Sequence, residues 1–169
     1  VFSKTFLGFG VDAMRTKLSR DVQFSACYPS GFNENGIQGR FDFDKCSNFI
    51  HDRLAKMPEL EQVPHISNWR YIAVGGFYWG FRFFHYYPNM SEQDLKQNII
   101  NICGQSWPQM KKKYPKQFKL EAQCPNMMYF YELLFDFYDL KLEQIKFVNQ
   151  IDGFDTVSYT HLTLPTILL

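Results

Sequence analysis

The feature that most constrains this 169-residue chain is its set of four cysteines, Cys27, Cys46, Cys103 and Cys124. What they bond to decides both loop geometry and compartment. Four cysteines allow three disulfide pairings. A zinc site draws on CxxC pairs or on histidines at short spacing. Neither occurs, and His51, His65, His85 and His161 are scattered. A CxxC redox motif is absent as well. That leaves four buried reduced thiols or a set of disulfides. The residues favour disulfides, because each sequential pair brackets one compact segment. Cys27 and Cys46 enclose the Gly/Asn/Pro-rich "YPSGFNENGIQGRFDFDK", and Cys103 and Cys124 enclose "GQSWPQMKKKYPKQFKLEAQ". Sequential pairing closes loops of modest length, each contributing about 3 kcal/mol by the chain-entropy relation. Asn89-Met90-Ser91 is also a glycosylation sequon. Together these features point to a secreted, extracellular or secretory-lumen protein.

The chain has the length of one domain or one lobe. With 46% hydrophobic residues and 18 phenylalanines it has ample material for a core. Its formal net charge of +1 provides no global field to draw in a polyanion, which argues against nucleic acid as a partner. No apolar run approaches the length of a membrane span. The chain opens on Val1 without a methionine, so an upstream signal or anchor is expected to precede it.

Periodicity gives a coarse order of elements. "VFSKTFLGFG" reads as a strand bounded by Gly8 and Gly10, and "VDAMRTKLSR" as a short helix with Met14 and Leu18 on one face. A long loop through Cys46 follows, then a short helix carrying Phe49, Leu54 and Met57 that Pro58 stops. Residues 58 to 68 read as a linker. Trp69, Tyr71 and Ala73 alternate as in a strand, which Gly75 and Gly76 break; the aromatic run beyond suits helix or strand. The firmest helix spans Ser91 to Cys103, with Ser91 as N-cap, Asp94 completing a variant capping box, and Leu95, Ile99, Ile102 and Cys103 on one face. A further helix is expected to begin near Pro125, with Met127, Met128, Tyr131, Leu134 and Phe135 inward and Glu132, Asp136, Asp139 and Glu143 on its polar face. "QIKFVNQI" reads as a late strand. Lys111-Lys112-Lys113 reads as a solvated helix end, and no Ser-His-Asp arrangement emerges.

Five segments in order carry a resemblance: "FSKTFLGFGVDA" from Phe2, "CYPSGFN" from Cys27 with Cys46 to follow, "GFYWGFRFF" from Gly76, "ICGQSWPQM" from Ile102 with Tyr114-Pro115 after it, and "CPNMMYFYELL" from Cys124. They resemble the corresponding segments of the apyrases, the ectonucleoside triphosphate diphosphohydrolase family, over residues 2 to 156. The resemblance implies a mixed α/β fold, a partial ribonuclease H-like lobe of the actin and sugar-kinase type, with helical insertions and disulfide-clipped loops. It implies Cys27–Cys46 and Cys103–Cys124 disulfides. It implies hydrolysis of nucleoside tri- or diphosphates to lower phosphates, with calcium or magnesium as cofactor of a full-length parent.

That family reacts its substrate between two lobes, each offering a Gly-rich loop of the "DAGSS" or "DLGGAS" type whose backbone N–H groups cradle phosphate. Neither loop occurs in the sequence, and "GFG" at Gly8–Gly10 reads as a strand-to-helix turn instead. The expectation is therefore a C-terminal lobe, incomplete at both ends, whose partners are a missing N-terminal lobe and a nucleoside tri- or diphosphate. Catalytic residues and metal ligands are expected outside it, as is any membrane anchor. Residues 157–169, "VSYTHLTLPTILL", depart from the family and resemble a translated adaptor, a non-native tail, so His161 carries no weight. By the resemblance this lobe supplies the nucleobase pocket. Tyr78 would stack on one face of the base, with Phe77 or Trp79 as alternatives, and Lys119 would lie on the other. Stacking is tolerant of base identity because every base has a π face. Equally, Phe77, Tyr78 and Trp79 suit a simple core. A non-catalytic secreted nucleotide-binding or interaction module on the same lobe is the second reading.

Overall fold

A computed structural model of the chain describes residues 8–58, 70–151 and 154–155. The fold is mixed α/β, with helices around a short parallel strand pair and two disulfides. The expected opening strand before Gly8, the linker beyond Pro58 and the tail 157–169 lie outside the described residues.

Helix α1 (Val11–Leu18) starts at Gly10 and buries Met14 and Leu18, as their spacing requires. The segment read as a long loop is in fact structured. A 3₁₀ turn over Val22–Cys27 is capped by Asp21, whose carboxylate accepts from the Gln23 backbone N–H. A hairpin follows, β1 (Asn33–Glu34) against β2 (Ile37–Gln38), antiparallel with Glu34 opposite Ile37. Its two-residue turn is Asn35-Gly36, both at positive φ (52° and 78°). That is the backbone a type I′ turn demands, and Asn-Gly is its commonest sequence. The chain then folds back, Arg40 N–H donating to Ser25 and Asp42 N–H to Ala26.

Helix α2 (Phe43–Leu54) is longer than the sequence indicated and takes in Cys46. Asp42 caps it by accepting from the Lys45 N–H, and Phe43, Cys46, Phe49, Ile50 and Leu54 are buried. The Cys27–Cys46 disulfide, Cα atoms 5.0 Å apart, pins α2 to the 3₁₀ turn.

Strand β3 (Tyr71–Val74) ends at Gly75, whose φ of 60° turns the chain into helix α3 (Gly76–Phe83). Helix α4 (Glu92–Cys103) matches its expectation. The Ser91 hydroxyl accepts from the Asp94 N–H at 3.0 Å, and Leu95, Ile99, Ile102 and Cys103 are buried. Helix α5 (Trp107–Lys113) ends in the exposed lysine run.

Helix α6 (Leu120–Tyr131) begins five residues earlier than Pro125 suggested. Lys119 at φ 48° precedes it, and Pro125 lies inside it, buried. A proline there forfeits the hydrogen bond to Glu121, within the second turn, and crowds that carbonyl. The Cys103–Cys124 disulfide, Cα atoms 5.8 Å apart, fixes this turn to the end of α4. Helix α6 contacts α1, α2, α3 and α4, so Cys124, Met127, Met128, Tyr129 and Phe130 are all buried. It runs on into a π-helical segment, Glu132–Phe137. Strand β4 (Ile145–Val148) pairs parallel with β3, Tyr71 opposite Ile145 and Val74 opposite Val148. A short pairing of β5 (Gln150–Ile151) with β6 (Phe154–Asp155) closes the described chain.

Candidate functional site

Helix α3 carries the residues singled out for base binding, and it is two-faced. Phe77, Phe81 and Phe84, at helical spacing, face the core. Phe77 lies against Phe130 with ring centroids 4.4 Å apart, and Phe81 stacks on Phe147 at 4.0 Å. Gly80 permits this approach: a Cβ there would stand 3.2 Å from the Phe130 ring. The outer face holds Tyr78, Trp79 and Arg82. Trp79 is 56% exposed. Tyr78 is half-buried and meets Trp79 edge-on at 5.0 Å. The Arg82 guanidinium sits 5.6 Å from the Trp79 ring centre, and its Nη1 reaches the Tyr78 hydroxyl at 3.5 Å. Two amphipathic rings and a planar cation thus share one solvent face.

Lys119 is placed differently. Its ammonium pairs with Asp12 Oδ2 at 3.1 Å and lies over the Phe118 ring, at the junction of α6 with α1. Its described contacts are with these residues and not with α3. Phe77 lines an apolar cleft of about 430 Å³ with Phe9, Tyr129 and Tyr138; Tyr78, Trp79 and Lys119 are not on its lining. Arg82, which sequence reasoning passed over, is the cation beside the two rings. It follows Tyr78 by four residues, so helical spacing carried that signal.

A second constellation was not anticipated. Glu132, expected on a polar face, is 1% exposed. It follows the fully buried Met128 by one helical turn and opens the π-helical segment, in which Tyr138 N–H donates to Leu133 five residues back and which packs against α2. There the Ser47 hydroxyl donates to Glu132 Oε1 at 2.5 Å, while Oε2 has no hydrogen-bond partner. His51, one turn after Ser47 on α2, binds Asp136 through Nδ1. The result is two pairs, Ser47 with Glu132 and His51 with Asp136, rather than a relay of the three types. Burial pushes the Glu132 pKa up to about 7; the Ser47 hydrogen bond pulls against this and the Asp136 charge adds to it. These side chains line a cleft of about 440 Å³, flanked by Tyr131, whose hydroxyl donates to Glu92 at 2.8 Å. Burial, and then that contact with Glu92, raises the Tyr131 pKa. Lys96 also lines the cleft, but its ammonium lies over the Phe43 ring and 3.4 Å from Asp44.

One nitrogen or oxygen each from His51, Glu132 and Asp136 fall within 4.8 Å of one another. His51, far from the two acids in sequence, meets them because α2 packs on the π-helical segment that continues α6. Glu132 and Asp136, four apart, were a visible pair; their burial and their histidine were not visible.

No family model matches the chain, and no curated protein matches it significantly.

Proposed function

We propose that this chain is the nucleobase-side lobe of an apyrase-like hydrolase that releases phosphate from nucleoside tri- and diphosphates in a secreted or secretory-lumen setting. The observation that carries this reading is the outer face of α3, where Tyr78, Trp79 and Arg82 lie together at the surface on a helix whose inner phenylalanines hold it rigid. A purine or pyrimidine has two π faces and no charge of its own, and an exposed aromatic ring with an adjacent guanidinium suits it. Arg82 takes the cationic role in preference to Lys119, whose ammonium is engaged by Asp12. Two disulfides fit an oxidising compartment, and Asn89 of the sequon is exposed, which fits passage through a secretory pathway. Among the described residues no helix is long and apolar enough to cross a membrane.

The chemistry of such an enzyme is attack of water on the terminal phosphorus and cleavage of the phosphoanhydride bond. Its calcium or magnesium would neutralise phosphate oxygens and its Glu base would take the proton of water. The residues here do not fit that cation, because the sequence contains neither phosphate-cradling Gly-rich loop beside which it would bind. In that reaction the chain's own part is to hold the base.

The test has two arms on the purified, oxidised chain. Phosphate release from ATP, ADP, GDP and UDP with calcium or magnesium should not exceed background, since loss of even one transition-state donor commonly costs about 10²–10³ in rate. Millimolar ADP should shift the Trp79 indole resonance, and ribose 5-phosphate should not. Turnover abolished by a substitution within residues 8–151, or equal shifts from both ligands, would overturn the reading.

A further inference from the structure

The cleft between α2 and the π-helical segment contains an electrostatic arrangement that the folding of the chain alone does not explain. A carboxyl group that is 1% exposed lines the cleft with Oε2 unpaired, its polar neighbour being a second carboxyl, Asp136, rather than a donor. Ser47 donates to Oε1, which leaves Oε2 as the carboxyl oxygen with no donor. A second carboxylate, Asp136, and an imidazole, His51, converge on the same point, all three ligand atoms lying within 4.8 Å. The lysine of the cleft is held by Asp44 and Phe43. A buried acceptor without a donor is costly and rare in folded proteins. A cation in the cleft would satisfy Oε2 and both carboxylates at once.

We propose that His51, Glu132 and Asp136 form a binding site for a divalent cation of the zinc class, bridging α2 to the end of α6. The donor set selects the class. Calcium and magnesium favour all-oxygen shells, whereas an imidazole nitrogen with carboxylates suits zinc and its neighbours. Zinc bonds of about 2.0–2.2 Å place tetrahedral neighbours roughly 3.4 Å apart. His51 and Asp136, hydrogen-bonded to each other in the metal-free chain, must part to admit the ion, and at 48% and 52% exposed they have solvent-side room to do so. Glu132 is the fixed anchor, oriented by the Ser47 hydroxyl in the way that outer hydrogen bonds commonly orient metal ligands. Three protein ligands on a solvent-open cleft leave a fourth position for water or for a small anionic ligand. The site lies on residues that do not overlap the α3 face, so metal binding and base binding can be tested apart.

The experiment titrates the metal-stripped, oxidised full chain with Zn²⁺ by calorimetry, and with Co²⁺ as a visible-absorption probe. One equivalent of Zn²⁺ is expected, with Co²⁺ bands of low coordination number. His51→Ala, on the exposed side of α2, should weaken Zn²⁺ binding at least tenfold, and so should the isosteric Glu132→Gln. His85→Ala, a substitution of an exposed histidine outside the cleft, should leave binding unchanged. Circular dichroism of each variant establishes that it is folded. The proposal is overturned if the wild-type chain binds no Zn²⁺ at millimolar concentration. It is equally overturned if folded His51→Ala binds as wild type, or if Ca²⁺ binds as tightly as Zn²⁺ without dependence on His51.

Discussion

On the outer face of α3, Tyr78, Trp79 and Arg82 lie within five consecutive positions and meet through helical periodicity alone. In the cleft beside α2, Ser47 and His51 meet Glu132 and Asp136, each pair separated by 85 residues. The first surface is aromatic, exposed and supported from below by Phe77 on Phe130; the second is carboxylate-rich, with one acid sealed from water. The contrast shows how two surfaces on one fold depend on different things. The α3 face needs only a helix and an inner phenylalanine stripe. The cleft needs the packing of α2 on α6, and each of these helices is held by its own disulfide, through Cys46 and Cys124.

The largest effect that separates the two regions should come from removing a disulfide. The double replacement Cys27→Ser with Cys46→Ser is expected to cost 2–5 kcal/mol, about 3 by loop length, in urea unfolding. Hydrogen exchange should rise first in α2 and so disturb the cleft, while the amides of α3 stay protected. Equal loss of protection in both would mean that the regions are not separable.

Next in size is a pH effect confined to the cleft. The folded-state pKa of Glu132, about 7, lies above the ordinary 4.5, so the native chain holds a proton that the unfolded chain releases. Its contribution is fully present below about pH 4.5, declines as pH rises toward 7 and is gone above it. The total is roughly 3 kcal/mol, at 1.36 kcal/mol per unit. Metal-free Glu132→Gln should flatten this slope in denaturation curves taken from pH 4.5 to 8. An unchanged slope would place the titration elsewhere.

Features set by regular local spacing were readable in the sequence. The spacing of Met14 with Leu18, and of Leu95 with Ile99 and Ile102, marked two helices, and both bury those residues. The alternation at Tyr71 and Ala73 marked β3, and the cysteine brackets marked both disulfides. Three features escaped. The Asn35-Gly36 turn was readable as a hairpin but was absorbed into a loop, because the strands on either side are two residues long. Pro125 suggested a helix start, yet the chain begins α6 at Leu120 and tolerates the ring one turn in, where Cys124 is bonded to α4. Glu132 read as surface because it is an acid, although it stands one helical turn beyond Met128 on the inward face; its charge type outweighed its position.

Smaller effects sharpen the contrast. Ser91→Ala removes the hydroxyl cap of α4, the helix that brings Glu92 to Tyr131 in the cleft, and should cost about 1 kcal/mol in thermal or chemical unfolding. Trp79→Ala on the open face of α3 should change stability by less than about 0.5 kcal/mol. A larger loss at Trp79 would mean that the outer face is part of the core.

In the proposed function α3 divides its work, with Phe77 holding the fold and Tyr78 holding a base. The most direct test measures folding stability and ADP affinity together for Phe77→Ala and Tyr78→Ala. Tyr78→Ala should weaken ADP binding by about 1–3 kcal/mol, or roughly 5- to 150-fold, while keeping most of its stability. Phe77→Ala should lose about 2 kcal/mol or more of stability, as truncation of a ring packed on the core does. A well-folded Tyr78→Ala chain that binds ADP as tightly as the wild type would contradict the claim.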